Sequence, residues 1–126
     1  MTLSAAGRRR KGSVWATAVA NYLHAHVSPA VTLTAAGQAR DAGDISGLPA
    51  IIECKNHREI ELGEWSTQAE RSAIATKAYR WALFVKRRGK ARVDDGWMVV
   101  PCWFGSELLA AWARAEGGPL LGEEAG

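Results

Sequence analysis

An apolar run, Ala50-Ile51-Ile52, passes without a break into Glu53-Cys54-Lys55. This short stretch constrains the fold more than any other part of the chain. Two β-branched residues set off by the turn signal Gly47-Leu48-Pro49 read as a buried strand over residues 50–55. A strand sends alternate side chains to opposite faces. Ile51, Glu53 and Lys55 therefore share one face, and Ile52 and Cys54 the other. Glu53 and Lys55 stand roughly 7 Å apart along that face. A chain that buries this strand must carry a carboxylate and an ammonium at its end.

The remaining elements follow from periodicity. Val14, Trp15, Ala18, Val19, Tyr22 and Leu23 recur at three- and four-residue spacing, which predicts a helix over residues 11–26. Pro29 stops it. Residues 31–34 are β-branched and short, a first strand. Residues 44–46 begin a second strand, and residues 50–55 are the third. Thr67 and Glu70 match a capping box, so a helix is expected from residue 67 to about residue 79. Strands over residues 81–86 and 97–101 follow, and Ser106 can cap a last helix carrying Leu108, Leu109 and Trp112. The order α-β-β-β-α-β-β-α predicts an α/β fold, a central mixed sheet flanked by helices.

At 126 residues, 48% apolar and with six tryptophans, the chain can bury one core, so a single domain over residues 11–116 is expected. Residues 1–10 read as a basic flexible arm and residues 117–126 as an acidic tail. Arg8, Arg9, Arg10 and Lys11 form one basic block, and Lys86, Arg87, Arg88, Lys90 and Arg92 a second; together they hold nine of the sixteen Lys and Arg residues. Clustered cations are the footprint of a polyanion, although a solvated tail and loop would look the same. Two cysteines with no metal-ligand spacing read as reduced thiols in a cytoplasmic protein. No secretory leader and no membrane-spanning run is expected.

Asp44 gives Glu53 a partner. If the Gly47-Leu48-Pro49 turn folds the second strand back on the third, the two carboxylates approach each other. They then repel unless a cation lies between them, and Mg2+, with Mn2+ as a substitute, suits such a site. Lys55 beside it can orient a water and offset charge on phosphoryl oxygens. A cross-strand ion pair at a strand end is the plainer reading of Glu53 and Lys55. The apolar strand behind them, Asp44 upstream and the two basic blocks favour a phosphodiester hydrolase.

The pattern Gly43-Asp44 followed by Glu53-Cys54-Lys55 resembles the PD-(D/E)XK nuclease superfamily. The longer string ARDAGDISGLPAIIECKNHREIELGEW, with TQAE and FVKRRGKAR after it, is similar to the phage-encoded Holliday junction resolvase-like nucleases of that superfamily, over about residues 8–112. The resemblance implies a restriction-endonuclease-like core. It implies Asp44 and Glu53 as metal ligands, helped by the Cys54 carbonyl, and Lys55 as the catalytic lysine. It implies for Gln68 a role in orienting the water or a phosphate, against that of an exposed first-turn residue. In one respect the chain departs from cellular and archaeal relatives: Ala16 stands where the first helix would carry a Glu, and no acid occurs between Met1 and Arg40. Asp41 is a candidate substitute, with a surface turn as its plainer role. His57 can touch DNA or the leaving group, or be a solvated loop residue. Trp65 and Trp103 can stack on a base, or pack at element boundaries.

The expected activity is a Mg2+-dependent endodeoxyribonuclease cleaving branched DNA, a Holliday junction resolvase. Paired cuts on opposite strands call for two active sites and hence a C2 homodimer. The protein would work in the cytoplasm, that of the host cell if phage-encoded, with no membrane partner. Two readings stay open beside it. One is a nuclease of the same fold acting on flap, duplex or single-stranded DNA; the other is a non-catalytic, structure-specific DNA-binding protein.

Overall fold

The computed structural model describes residues 5–35 and 43–117, with the backbone alone over 5–11. Over the described residues the chain is an α/β protein with three helices and a mixed five-stranded open sheet. Its elements run α1 Ala5–His26, β1 Thr32–Leu33, β2 Ile45–Ser46, β3 Ile51–Lys55, α2 Leu62–Ala75, β4 Trp81–Val85, β5 Trp97–Val99 and α3 Cys102–Ala115, with a 3-10 turn at Val93–Asp95 before β5. The sheet order is β1-β2-β3-β4-β5. β3 and β4 are parallel, joined by α2, and the other neighbours are antiparallel.

Each sheet face has its own helix. Trp15, Val19 and Leu23, at four-residue spacing on α1, are buried with Ile45, Ile52, Ala82 and Phe84. Trp65, Ala69 and Ala73 of α2 are buried with Ile51, Trp81, Leu83 and Val85. All five β4 residues are buried, as an apolar strand covered on both faces must be. Val19 and Leu83 are fully buried, which stabilises the fold by about 1.5–3 kcal/mol each. The Trp15 indole N–H donates to the Phe84 carbonyl at 2.9 Å, so the polar end of the largest α1 side chain is satisfied inside the core.

Several element boundaries differ from expectation. Residues 5–10 continue α1 instead of forming a loose arm. Alanine, arginine and lysine are strong helix formers, and they outweigh Gly7 and Gly12. Val14, expected on the apolar face, is 65% exposed; the stripe through Trp15, Val19 and Leu23 leaves it on the other side. The helix expected from residue 67 starts at Leu62, with Glu61 at its N-cap and no side-chain cap. Burying Trp65 one turn ahead of Ala69 decides the start, and the Thr67 hydroxyl donates back to the Gly63 carbonyl. That helix ends at Ala75 instead of residue 79, with Lys77 and Tyr79 in the left-handed region. Likewise α3 begins at Cys102, and Ser106, expected as its cap, donates to the Cys102 carbonyl inside it. The acidic tail lies outside the described residues beyond residue 117.

Gly47 makes the turn between β2 and β3 possible. Its φ is +100°, and a Cβ there would run into the Ala30 carbonyl. The close approach seats the turn on the α1–β1 connection and aims β2 back along β3. No described helix is long and apolar enough to cross a membrane.

Candidate active site at the end of β3

β3 lies between β2 and β4, and its ladder explains where its polar end points. Ile51 N–H donates to Arg80 O at 2.9 Å, and Lys55 O accepts from Lys86 N–H at 2.9 Å, so the odd residues bond towards β4. The even residues bond towards β2: Asp44 N–H donates to Ile52 O at 2.8 Å. Two residues on, no β2 backbone remains opposite Cys54. The Asp44 side chain takes over, its Oδ2 accepting the Cys54 N–H at 2.7 Å. A strand residue turns its N–H and C=O to the same edge. The Cys54 carbonyl therefore lies on the Asp44 side, while the Cys54 thiol packs against the α1 core.

Asp44 and Glu53 meet at this edge. The two carboxyl groups share a hydrogen bond, and Glu53 is pushed up to about 7, by burial first and then by the Asp44 charge and that bond, against the lowering effect of Lys55. Burial, with both carboxylates adding to it, also pushes the Cys54 thiol well above its ordinary value, so it stays protonated. Two half-buried acids in contact repel each other when both are ionised. The donor set of two carboxylates and one carbonyl suits a hard divalent cation that keeps much of its water. Among the described residues no cluster of three or more His, Cys, Asp or Glu side chains is found, and Asp44 and Glu53 are the two side-chain ligands the described site offers. Asp41 lies outside the described residues, and Ala16 is half-buried on α1 with no ligand group to offer.

Lys55 is on the α2 face. Its Nζ lies 5.8 Å from the centre of the Trp65 ring, and the His57 ring is 5.1 Å from the same indole. Trp65 is 4% exposed, so the ammonium rests on a fixed aromatic surface. The geometry thus brings Asp44, Glu53, Lys55 and His57 to one sheet end. Trp65 belongs with them as the support of Lys55, a role different from base stacking; its nearness to the Lys55 ammonium depends on how α2 packs, which sequence spacing does not reveal.

The second basic block adjoins the same end. Val85, the last residue of β4, is the register partner of Lys55, so Lys86 and Arg87 leave the sheet beside it, and Arg88 and Lys90 are exposed just beyond. Gln68 is exposed one turn after Trp65, where it lines a surface cavity with Gly63, Glu64, Thr67 and Arg71, and no described hydrogen bond joins it to the carboxylates. Arg8, Arg9, Arg10 and Lys11 lie on the first turns of α1, and their side chains are outside the described residues. Trp103 is 49% exposed on α3. Compared with protein-family models, with curated proteins and with solved structures, the chain matches none.

Proposed function

We propose that the protein is a Mg2+-dependent endodeoxyribonuclease with a restriction-endonuclease-like core, acting on branched DNA as a Holliday junction resolvase. The observation that carries this reading is the contact of Asp44 with Glu53, two like-charged groups in a half-buried site, with Lys55 on the same strand. The site lies at the carboxyl ends of the parallel pair β3 and β4, where open α/β sheets bind their ligands.

Asp44, Glu53 and the Cys54 carbonyl would hold Mg2+ or Mn2+, which supplies positive charge for attack on a phosphodiester. Lys55, steadied by Trp65, offsets the charge that builds on the non-bridging phosphate oxygens. Lys86, Arg87, Arg88 and Lys90 take phosphates on one side of the scissile bond, and the Arg8–Lys11 block others. These contacts give position and salt dependence without base readout. Paired cuts need two such sites, so the working form is a C2 homodimer in the cytoplasm. A second reading, a DNA-binding protein of the same fold that does not cut, is favoured by one observation: Ala16 brings no acid to the site.

Cleavage of labelled four-way junctions with Mg2+ tests the assignment. Lys55→Ala is expected to abolish cutting and leave junction binding nearly intact. A wild-type protein that cuts no junction, flap, duplex or single strand with Mg2+ or Mn2+ overturns the catalytic reading. Equal cutting of plain duplex and junction overturns the resolvase.

A further inference from the structure

Lys55, Val85 and Trp97 stand in one row across three strands. Lys55 pairs with Val85 in the parallel register, and Val85 with Trp97 in the antiparallel one. Partners on neighbouring strands present their side chains to the same face. Val85 lies in the α2-side core, and Val99, two residues after Trp97, packs against that core as well. Trp97 therefore shares its sheet face with Lys55. With strands about 4.8 Å apart, the two backbones are roughly 10 Å from each other.

Trp97 is not used by the core. It sits on β5, the last strand of the sheet, and is 52% exposed. The Arg87 guanidinium lies 5.2 Å from the centre of its ring. A half-exposed indole carrying an arginine, at the root of a loop with Lys86, Arg88 and Lys90, combines the two features that bind single-stranded nucleic acid: an aromatic face and a cationic track. Among the described residues the other exposed aromatics are Tyr79, which precedes β4 at the end away from Lys55, and Trp103 and Trp112 on α3, which carries only Arg114 as a cation.

We infer that Trp97 is a stacking platform for an unpaired nucleobase near the scissile phosphate, with Arg87 contacting the adjoining backbone. The inference rests on the DNA-cleaving reading of the Asp44–Glu53–Lys55 site. Duplex DNA hides its base faces, so the ligand class is a single strand or the opened bases at a branch point. The separation of roughly 10 Å puts the platform within a few nucleotides of the phosphate at Lys55. Strand selection at a branch would then come from a base that only a branch exposes.

Binding of fluorescein-labelled oligo-dT and of a labelled four-way junction, measured by anisotropy in EDTA, tests the platform without involving catalysis. Trp97→Ala and Trp97→Leu are expected to weaken oligo-dT binding about tenfold. The slope of log affinity against log salt should not change, because no charge is removed. Trp97→Phe keeps an aromatic face and is expected to restore most of the affinity, which a merely structural role at the sheet edge would not produce. Arg87→Ala should lower both affinity and slope. Trp97→Ala binding within about twofold of wild type, while Lys86→Glu with Arg88→Glu abolishes binding, overturns the platform and leaves the DNA reading standing. Equal losses for Leu and Phe also overturn it. A wild-type protein that binds neither probe at low salt overturns both.

Discussion

The Asp44 carboxylate accepts the Cys54 backbone N–H at 2.7 Å, completing a ladder that the β2 backbone has already left. One side chain thus performs two tasks. It satisfies a β3 amide, and it sets a negative charge against Glu53. The tasks separate in two variants. Asp44→Asn keeps an acceptor for Cys54 and removes the charge, so it should fold as stably as the wild type and lose most of its Mn2+ affinity. Asp44→Ala also leaves the amide unmet, at a further cost of about 1–3 kcal/mol. Urea unfolding with calorimetric Mn2+ titration checks both. An alanine variant as stable as the asparagine one would show that the hydrogen bond does not hold β3.

Glu53 makes the site pH-sensitive in a direction opposite to the usual carboxylate. Its pKa is raised from 4.5 to about 7 in the folded chain. Between those values the folded state holds a proton that the unfolded state has released. Stability of the metal-free protein therefore falls as pH rises through that window, and levels off above it. Glu53→Gln should flatten the profile. A cation must displace the same proton, so Mg2+ or Mn2+ affinity should rise by up to about tenfold per pH unit below neutrality and then plateau. Thermal melts in EDTA and calorimetry across this range measure both effects. Metal affinity equal at about pH 6 and about pH 8 would remove Glu53 as a ligand.

Trp65 offers Lys55 a π-face 5.8 Å from its ammonium. Trp65→Leu removes that face but keeps apolar bulk in the α2-side core, whereas Trp65→Phe keeps an aromatic ring. We expect turnover to drop about tenfold in the leucine variant, matching about 1–2 kcal/mol of desolvated cation–π attraction, with junction affinity unchanged. The phenylalanine variant should stay within a few-fold of wild type. Amine acylation read by mass spectrometry gives an answer independent of activity. Lys55 should react faster in Trp65→Leu than in wild type, relative to Lys86. The same reactivity in both would mean that the indole does not hold the ammonium.

The path of β3 was legible because it is written locally. An apolar run, a Gly-Pro turn and the period of two suffice to place Glu53 and Lys55 on one face, and the upstream turn brings Asp44 to them. What was not legible is non-local. Nothing in the spacing shows that Val85 pairs with both Lys55 and Trp97, because register across β4 is fixed by burial on both faces of the sheet. The capping-box reading at Thr67 failed for the same reason. A local capping signal worth about 1 kcal/mol competed with burial of Trp65, and the burial, being worth more, set the helix start.

α3 supplies a test of the homodimer. Phe104, Gly105 and Ala113 are its half-buried positions, and the stripe begun by the first two continues at helical spacing through Leu108, Leu109 and Trp112. Leu109 is 63% and Trp112 64% exposed, and no residue of the helix is buried. A 14-residue helix gains little stability on its own, so such a stripe needs cover. The stripe carries no cation, so it does not complement DNA; in the proposed homodimer a second copy of the same stripe across a two-fold axis would cover it. Sedimentation should give the wild type about twice the 13.6 kDa chain mass, without DNA or metal. Leu109→Glu with Trp112→Glu should give the single-chain mass, with the circular dichroism of the core retained. Cutting would then become unpaired, nicking one strand of a junction instead of opposite strands together. A wild type that sediments as one chain, or a double variant that remains paired, overturns this interface.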